Sequence, residues 1–226
     1  MERRKVITDG KLSLLLIFLI LLIDQIIKIG VKTNMCLHES VEVTPWFFIN
    51  FIENNGMAYG MTFINKLVLS LFRIVAITVI AYYIWLQVKQ KVRTGYIVCL
   101  SMILAGAAGN IFDSMFYGLI FDASSPYHVS TLVPFGEGYA PFLRGKVVDM
   151  FYFPLFSFTW PEWVPLKGGE EYTFFSAIFN FADASISVGI ALLLLFYRRE
   201  LGNLSLRPAK PDAEETMTED KPEVDE

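Results

Sequence analysis

The sequence predicts an all-α membrane protein in which four transmembrane helices carry a small β-like element at one membrane surface. Two observations lead to this fold class. Apolar residues make up 54% of the 226-residue chain and aromatic residues 15%, and the apolar residues are grouped in long blocks. A bilayer core about 30 Å thick requires roughly 20 mostly apolar helical residues to cross it, and four blocks reach that length.

The predicted helices span residues 11–31, 67–88, 95–121 and 173–197. Backbone groups in lipid must form their hydrogen bonds internally, which favours helices over single strands. The first helix follows a basic start, as in a cleaved signal peptide, but its apolar run leads to Asp24 and Gln25 without a small-x-small cleavage site. We therefore expect the first helix to be retained.

The chain is predicted to divide into a membrane domain, residues 1–202, and an acidic tail, residues 203–226. The tail contains eight acidic and three basic residues, so it accounts for the net charge of −4. It also contains three prolines and few large apolar residues, a composition typical of disordered, solvated segments. We expect a disordered cytoplasmic tail, and a partner-binding tail is the alternative.

Basic residues near the ends of the helices predict the orientation of the chain in the membrane. Three clusters occur, and an even number of crossings places all of them on one side. They are Arg3, Arg4, Lys5 and Lys11 at the start, Lys89, Lys91 and Arg93 after the second helix, and Arg198 and Arg199 after the fourth. This side is predicted to be cytoplasmic, with both termini in the cytoplasm.

The opposite side receives two longer segments, residues 32–66 and 122–172, which are rich in aromatic residues such as Trp160. Because Trp and Tyr favour the membrane–water interface, we expect these segments to lie on the bilayer surface. Partial alternation over residues 42–63 predicts a small strand-and-turn element. Residues 161–171 contain two consecutive glycines and are predicted to form a mobile loop.

Ionisable side chains inside transmembrane helices are costly, so they mark either a functional site or a structural pair. The sequence places four of them there, with two asparagines as companions: Asp24, Arg73, Asp113, Asp183, Asn110 and Asn180. In the third and fourth helices Asn precedes Asp by three residues, which puts both side chains on one helix face. Small residues at 106–109 permit a close helix approach. A polar centre between these two helices follows.

Asp149 lies in the aromatic-rich segment before the fourth helix, and Asp183 lies about ten residues beyond the predicted start of that helix. At 1.5 Å per residue this predicts a depth of roughly 15 Å for Asp183. An acid in a surface segment can dip towards an acid near a helix mouth, so the two carboxyl groups form a compatible pair. Taken alone, Asp149 would be interpreted as a solvated loop carboxylate.

Five short motifs occur in order along the chain. They are Asp24-Gln25-Ile26-Ile27-Lys28, Asn54-Asn55-Gly56-Met57-Ala58-Tyr59-Gly60, Gly109-Asn110-Ile111-Phe112-Asp113, Val147-Val148-Asp149-Met150-Phe151 and Phe179-Asn180-Phe181-Ala182-Asp183. With these motifs on a four-helix frame, the chain resembles the lipoprotein signal peptidases (signal peptidase II) over nearly its whole length up to the tail. The resemblance implies a membrane aspartyl endopeptidase that removes the signal peptide from lipid-modified prolipoproteins, cleaving just before the diacylglyceryl-cysteine.

The resemblance implies that Asp149 and Asp183 are the catalytic pair. It also implies that five residues line or support the substrate groove: Asn54, Gly56, Asn110, Asp113 and Asn180. Asp24 and Lys28 match positions of structural importance near the outer end of the first helix.

The chain departs from the family pattern in two places. The family has Arg directly after the Asp of the third-helix motif, where this chain has Ser114. We expect the cationic contact to be lost or to be supplied as a supporting contact by Arg144 or Arg73. The stretches on either side of Asp149 are also longer than usual, which predicts a different shape for the surface elements around the groove.

In the implied mechanism, two carboxyl groups held close together share one proton. The ionised group activates a water, and the protonated group hydrogen-bonds the peptide carbonyl and assists departure of the amine. No metal or other cofactor is expected. We expect a monomer in the bacterial cytoplasmic (inner) membrane, with its active site near the outer, periplasmic face and with prolipoproteins and membrane lipid as partners.

Two alternatives from other classes stay open. A small transporter or channel explains the polar centre equally well, but it does not explain the long aromatic surface segments. A membrane scaffold whose Asn and Asp residues only join helices predicts that Asp149→Asn is harmless. At single positions, Asp113 is equally well a helix-to-helix hydrogen-bonding residue, and Asp24 is interpreted as structural, with Lys28 as its partner. Arg73 is expected to face Asp24 or another acid.

Overall fold

The computed structural model describes residues 8–55 and 65–202. Gly56 of the predicted substrate groove lies outside these residues, and so does the predicted acidic tail, residues 203–226. Within the described part, the chain forms five helices and six strands. Along the chain, each strand segment adjoins the same end of the long helices. The strands therefore gather at one end of a helix bundle.

Three long apolar helices form the frame of the molecule. Helix α1 spans Asp9–Lys32, α2 spans Lys66–Lys89 and α3 spans Thr94–Ile120. All three are long and apolar enough to cross a membrane, and their bounds agree with the predicted ones within two residues. Asn65 begins α2 as its N-cap, since its side chain accepts a hydrogen bond from Leu67 N at 2.9 Å.

The fourth predicted helix is shorter than the sequence analysis indicates. Helix α4 spans Phe181–Phe196, 16 residues, and the short helix α5 follows at Arg198–Gly202. The prediction that the helix begins at residue 173 was wrong, because Asn180 caps α4 and the aromatic residues before it are extended. At 1.5 Å per residue α4 is about 24 Å long, less than the roughly 30 Å of a bilayer core. The length of α4 alone therefore does not define a fourth crossing.

The all-α label of the predicted fold class is not exact, because the β-like surface element is a substantial antiparallel sheet. Its four strands have the order β1-β2-β3-β6, with bounds Ser40–Thr44, Phe47–Asn54, Val147–Tyr152 and Ile178–Phe179. The predicted strand-and-turn element over residues 42–63 is confirmed as β1 and β2 within the part that the structure describes. Strand β3 was missed because a short apolar run does not distinguish a strand from a buried helix segment.

A second sheet is a hairpin inserted between β3 and β6. It pairs β4, Phe156–Thr159, with β5, Glu171–Phe174. Residues 161–171, predicted to form a mobile loop, connect the two strands and reach β5 at Glu171. The connection closes with main-chain hydrogen bonds, among them Trp160 N to Glu170 O at 3.0 Å. Gly169 adopts a φ of 78°, which glycine tolerates at no steric cost.

Helix α3 packs closely on α4 because glycines remove the side chains between them. A Cβ atom on Gly106 would collide with the Ala182 carbonyl oxygen, and one on Gly109 would lie 2.7 Å from Asp24 Oδ2 and 3.3 Å from Ala182 Cβ. The close helix approach predicted at residues 106–109 is therefore confirmed. It brings the polar faces of the two helices together at the end of the bundle that carries the four-stranded sheet.

The opposite end of the bundle contains the helix ends that carry the basic residues. Arg93, just before α3, forms a 3.2 Å ion pair with Glu200 of α5. The Thr94 hydroxyl donates a hydrogen bond to Asp9 at the start of α1 at 2.9 Å. The start of α1, the α2–α3 connection and the end of α4 therefore lie on one side of the bundle.

Candidate active site

Asp149 is a buried carboxylic acid in the middle of β3. Its side chain accepts two amide hydrogen bonds, from Asn54 Nδ2 to Oδ2 at 3.1 Å and from Asn180 Nδ2 to Oδ1 at 2.6 Å. Strand pairing positions Asn54, because it lies opposite Val147, two residues before Asp149. Residues two apart share a face of a sheet, so Asn54 and Asp149 meet on the same face.

Asp183 lies in the first turn of α4 rather than roughly 15 Å inside a helix, so the predicted depth was wrong. It is the third helical residue of a capping box: Asn180 Oδ1 accepts from Asp183 N at 2.9 Å, and Asp183 Oδ2 accepts from Asn180 N at 3.3 Å. Asn110 Nδ2 donates to the other carboxylate oxygen at 2.7 Å. The exposed N–H groups and the helix dipole at this position stabilise negative charge.

Two asparagines connect the two acids. Asn180 donates its side-chain amide to Asp149, at 2.6 Å, and its main-chain amide to Asp183, at 3.3 Å. The Asn180 amide also lies 3.1 Å from Asn110 Oδ1, and Asn110 in turn donates to Asp183 at 2.7 Å. The structure thus brings together Asp149, Asp183, Asn54, Asn110 and Asn180 in one hydrogen-bonded network.

The surroundings of Asp149 change its acidity. Burial, followed by the negative charge of Asp183, raises the pKa of Asp149 from 3.8 to about 7. The hydrogen bonds from Asn54 and Asn180 and the charge of Lys28 act in the opposite direction and are outweighed. A carboxyl group with a pKa near neutrality can both hold and release a proton under physiological conditions.

Lys28 forms the positive centre behind this network. Its ammonium nitrogen lies 2.7 Å from Asp113 Oδ2, 2.9 Å from Asp24 Oδ2 and 2.9 Å from Asn110 Oδ1. Lys28, Asp24 and Asp113 are fully buried, so the three N–H donors of the ammonium group are matched by three oxygens. The Asp24–Lys28 pair expected from the sequence is present, and Asp113 joins it.

Gln25 is a site residue that the sequence analysis did not single out. Its side-chain amide donates to Asp113 at 2.9 Å and to Asp24 at 3.1 Å, and its oxygen accepts from Tyr117 OH at 3.1 Å. The available signal was a polar residue next to Asp24 in an apolar helix. Asp24 also reaches α4, because Asp24 Oδ1 accepts from Ala182 N at 3.0 Å.

Arg73 of α2 is the cation that acts on both acids from outside the Lys28 centre. Electrostatic attraction couples its guanidinium group to Asp183 most strongly, then to Asp149 and Asp113. Arg73 therefore interacts with acids, as expected. Arg144 is exposed. Ser114 is buried, and its hydroxyl donates to Asn110 O at 3.2 Å.

A second buried charge cluster lies beside the site and was missed by the sequence analysis. Glu53, next to Asn54, accepts from Lys32 at 2.5 Å, from Lys146 at 2.9 Å and from the Ser124 hydroxyl at 3.0 Å. Burial alone would raise the pKa of Glu53, but the two ammonium groups outweigh it and lower the pKa below 4.5. The position of Lys32, one helical turn beyond Lys28, was the available signal.

The chemical capacity of the site follows from its two acids. One is buried with a pKa near 7, and the other lies at a helix N-terminus that favours negative charge. Such a pair is suited to general acid–base chemistry on a water molecule. Among residues 8–55 and 65–202, no group of three or more His, Cys, Asp or Glu side chains converges into a metal-binding arrangement.

The long apolar helices and the polar network at one end of the bundle define a membrane protein with a candidate acidic site. The chain belongs to the signal peptidase II family: the family model described as signal peptidase (SPase) II matches residues 16–198. It is therefore an aspartic endopeptidase of the type that removes signal peptides from prolipoproteins.

Two relatives illustrate the extent of the similarity. The lipoprotein signal peptidase of Porphyromonas gingivalis is 48% identical over 213 residues, which cover 94% of this chain and 93% of the relative. The lipoprotein signal peptidase of Amoebophilus asiaticus is 35% identical and matches 81% of this chain and 76% of its own length. The similarity therefore extends beyond the short motifs to most of the sequence.

The fold is shared with solved bacterial membrane enzymes. One, determined by the in meso method at 2.3 Å resolution, superimposes with a TM-score of 0.55 at 22% identity, covering 88% of this chain and 94% of that chain. A second, determined at 1.9 Å resolution, gives a TM-score of 0.53 at 24% identity over 81% of this chain and 90% of that chain. At this level of identity the likeness establishes the common fold alone.

Proposed function

We propose that the protein cleaves prolipoproteins just before their diacylglyceryl-cysteine and that Asp149 and Asp183 are its catalytic pair. The observation that carries this proposal is the contact of one residue, Asn180, with both carboxyl groups. The charge of Asp183 also contributes to the raised pKa of Asp149, which supports the two acids acting as a pair. Two nearby carboxyl groups favour the state in which they share one proton.

Asp149 carries the shared proton at the start of the reaction, and Asp183 is the ionised partner. Asp149 is buried and its pKa is raised to about 7, which favours the protonated form. Asp183 receives hydrogen bonds from Asn110 and from the main chain of Asn180 at the start of α4. These donors and the helix dipole favour the ionised form.

The reaction then proceeds by general acid–base catalysis. Ionised Asp183 takes a proton from a water, and the water oxygen attacks the carbonyl carbon of the residue before the lipid-modified cysteine. Protonated Asp149 donates a hydrogen bond to the carbonyl oxygen. Collapse of the tetrahedral intermediate breaks the C–N bond, and the departing amine receives the proton that Asp183 had taken. The signal peptide leaves with a new carboxyl group and the lipoprotein with a free amine.

The other predicted site residues support the catalytic pair. Asn54 and Asn180 orient Asp149, and Asn110 orients Asp183. Asp113 acts through Lys28, which contacts Asn110 at 2.9 Å. Asp24 completes the charge balance of Lys28 and fixes the start of α4 through Ala182 N. Gly56 stays a predicted groove residue, outside the residues that the structure describes.

The membrane arrangement completes the proposal. Helix α4 with its flanking residues makes a fourth crossing, so both termini lie in the cytoplasm and the catalytic pair faces the periplasmic side of the inner membrane. A monomer is sufficient, because every side chain assigned to the reaction comes from one chain. The substrate's signal helix and acyl chains stay in the bilayer while its peptide bond reaches the pair.

A cleavage assay on two substrates tests this function. The purified protein is incubated, with a metal chelator present, with a prolipoprotein that carries diacylglyceryl-cysteine or with the same chain lacking the lipid. We expect cleavage of the modified substrate only, and mass spectrometry should place the new amino terminus at the cysteine. If the folded protein leaves the modified substrate intact, the peptidase function is wrong and proton or cation transport becomes the function to test.

A further inference from the structure

The hairpin of β4 and β5 presents an aromatic face that the rest of the described chain leaves uncovered. Phe156 lies opposite Phe174, with ring centroids 4.9 Å apart, and Phe158 lies opposite Tyr172, at 5.4 Å. Trp160 extends the row and lies 5.0 Å from Phe158. Residues two apart or directly opposite share one face of a sheet, so these five rings form a single surface.

The other face of the hairpin is polar. Ser157 and Thr173 lie opposite each other and their hydroxyls are 2.9 Å apart. Thr159 lies opposite Glu171 on the same face. The hairpin is therefore amphipathic, with aromatic rings on one side and hydroxyl and carboxylate groups on the other.

The aromatic face has no cover among the residues that the structure describes. Four of its rings expose 37–55% of their surface: Phe156, Phe158, Tyr172 and Phe174. Aromatic side chains contribute most to stability when they are buried. A hairpin of two strands is marginally stable in water by itself. The ordered aromatic row therefore indicates that an apolar environment covers this face.

The connections of the hairpin identify that environment. Three residues link β3 to β4, and three residues link β5 to β6, so each connection spans no more than about 14 Å. Strand β6 leads within two residues to α4 at Phe181. Phe175, in the second connection, lies 5.9 Å from Phe179 of β6, ring to ring. The aromatic face is thus held beside the end of the membrane bundle, where a lipid surface is the adjacent apolar medium.

We infer that the aromatic face of the β4–β5 hairpin lies in the interfacial layer of the bilayer and contacts phospholipid, while its polar face points to water. Aromatic side chains favour the membrane–water interface, and the split between the two faces matches that boundary. The periplasmic side of this contact rests on the proposed orientation. Because the hairpin joins the strand of Asp149 to the cap of Asp183, lipid contact here holds both acids at a fixed depth.

Spin labels on successive residues of β4 test this inference. In full-length protein with Cys36→Ser and Cys99→Ala, a nitroxide is attached to one new cysteine at a time. The four positions alternate between the aromatic and the polar face: Phe156→Cys, Ser157→Cys, Phe158→Cys and Thr159→Cys. The protein is reconstituted into vesicles of phosphatidylethanolamine and phosphatidylglycerol, and the accessibility of each label to oxygen and to a water-soluble nickel chelate is measured.

We expect alternation, with positions 156 and 158 accessible to oxygen and positions 157 and 159 accessible to the nickel chelate. Nickel accessibility at all four positions would place the hairpin in water and overturn the inference. Low accessibility of positions 156 and 158 to both reagents would show that protein, such as a second copy of the chain, covers the face, and would also overturn it. The measurement requires no substrate cleavage, so its failure is distinguishable from failure of the proposed function.

Discussion

Asp149 and Asp183 have the same side chain, but their environments differ in burial and in the donors they meet. Asp149 lies in a buried strand and accepts from two asparagine side chains. Asp183 lies in the first turn of a helix and accepts from a main-chain amide. The motifs contained residues that the structure brings together: Asn110, Asn180 and Asp183 share hydrogen bonds, and Asp113 is linked to Asn110 through Lys28. The depth of Asp183 could not be predicted, because it depends on where α4 begins.

The pH dependence of cleavage follows from the raised pKa of Asp149. The proposed mechanism requires Asp149 protonated, and its pKa in the free enzyme is raised to about 7. We therefore expect kcat/KM to fall above that pH, approaching about tenfold per pH unit. Initial rates on the lipid-modified substrate across pH 5 to 9, with folding checked at each pH, measure this. A rate that keeps rising through this range would contradict the assignment of the proton to Asp149.

Arg73 is predicted to replace the Arg that the family carries at the position of Ser114. Its charge acts most strongly on Asp183, so Arg73→Met removes positive charge that stabilises the ionised partner. We expect kcat/KM to fall by about tenfold or more, equivalent to about 1.4 kcal/mol. Adding Ser114→Arg to this variant should restore part of the rate.

Arg144→Met is the matched control for Arg73→Met, because Arg144 is exposed and lies outside the acid network. It should retain the wild-type rate. Equal rates for Arg73→Met and wild type, with both folded to the same extent, would remove Arg73 from the site.

At the scale of elements, the position of the acids depends on how strands and helix ends are fixed. The three long helices were predictable from apolar length, because a bilayer demands that length of any spanning helix. The start of α4 was not predictable from the sequence, because residues 173–179 are as apolar and aromatic as the helix that follows. The capping pattern Asn180-x-x-Asp183 was visible in the sequence, but the same spacing also fits two residues on one helix face.

Glu53 is predicted to fix β2 and β3 to the end of α1. Lys32 is fully buried and lies 2.5 Å from Glu53, so Glu53→Gln leaves a buried ammonium group without its counter-charge. We expect this variant to lose about 3–5 kcal/mol of stability at pH 7, as is typical for breaking a buried ion pair. Thermal unfolding in detergent, followed by circular dichroism, measures the loss.

The pH dependence of that loss has a definite sign. The pKa of Glu53 is lowered in the folded protein, so its stabilisation is present above pH 4.5 and disappears as the pH falls through the lowered value. The difference in stability between wild type and Glu53→Gln should therefore become smaller under acid conditions. Glu137→Gln, at an exposed loop position, should match wild type at each pH. A stability difference that does not change with pH would show that Glu53 stabilises the fold through packing and not through charge.

On the scale of the whole molecule, the sequence indicated a membrane bundle with a site at one end, and the structure adds the sheet that builds half of that site. Asp149 and Asn54 lie on paired strands, which apolar length could not reveal. The buried Lys32–Glu53 cluster was equally hidden, because its partners are 21 residues apart in the chain. Long-range pairing of this kind is decided by packing of the complete chain and not by local spacing.

Asp149 and Asp183 are proposed to perform the cleavage together. The most direct test compares cleavage of the lipid-modified prolipoprotein by wild type, Asp149→Asn, Asp183→Asn and the exposed control Glu137→Gln. Each Asn variant should retain its fold and lose about 10²-fold to 10⁴-fold in rate, the usual contribution of general acid–base catalysis, while Glu137→Gln cleaves normally. A folded Asp149→Asn or Asp183→Asn variant that cleaves at the wild-type rate would contradict the two-aspartate mechanism.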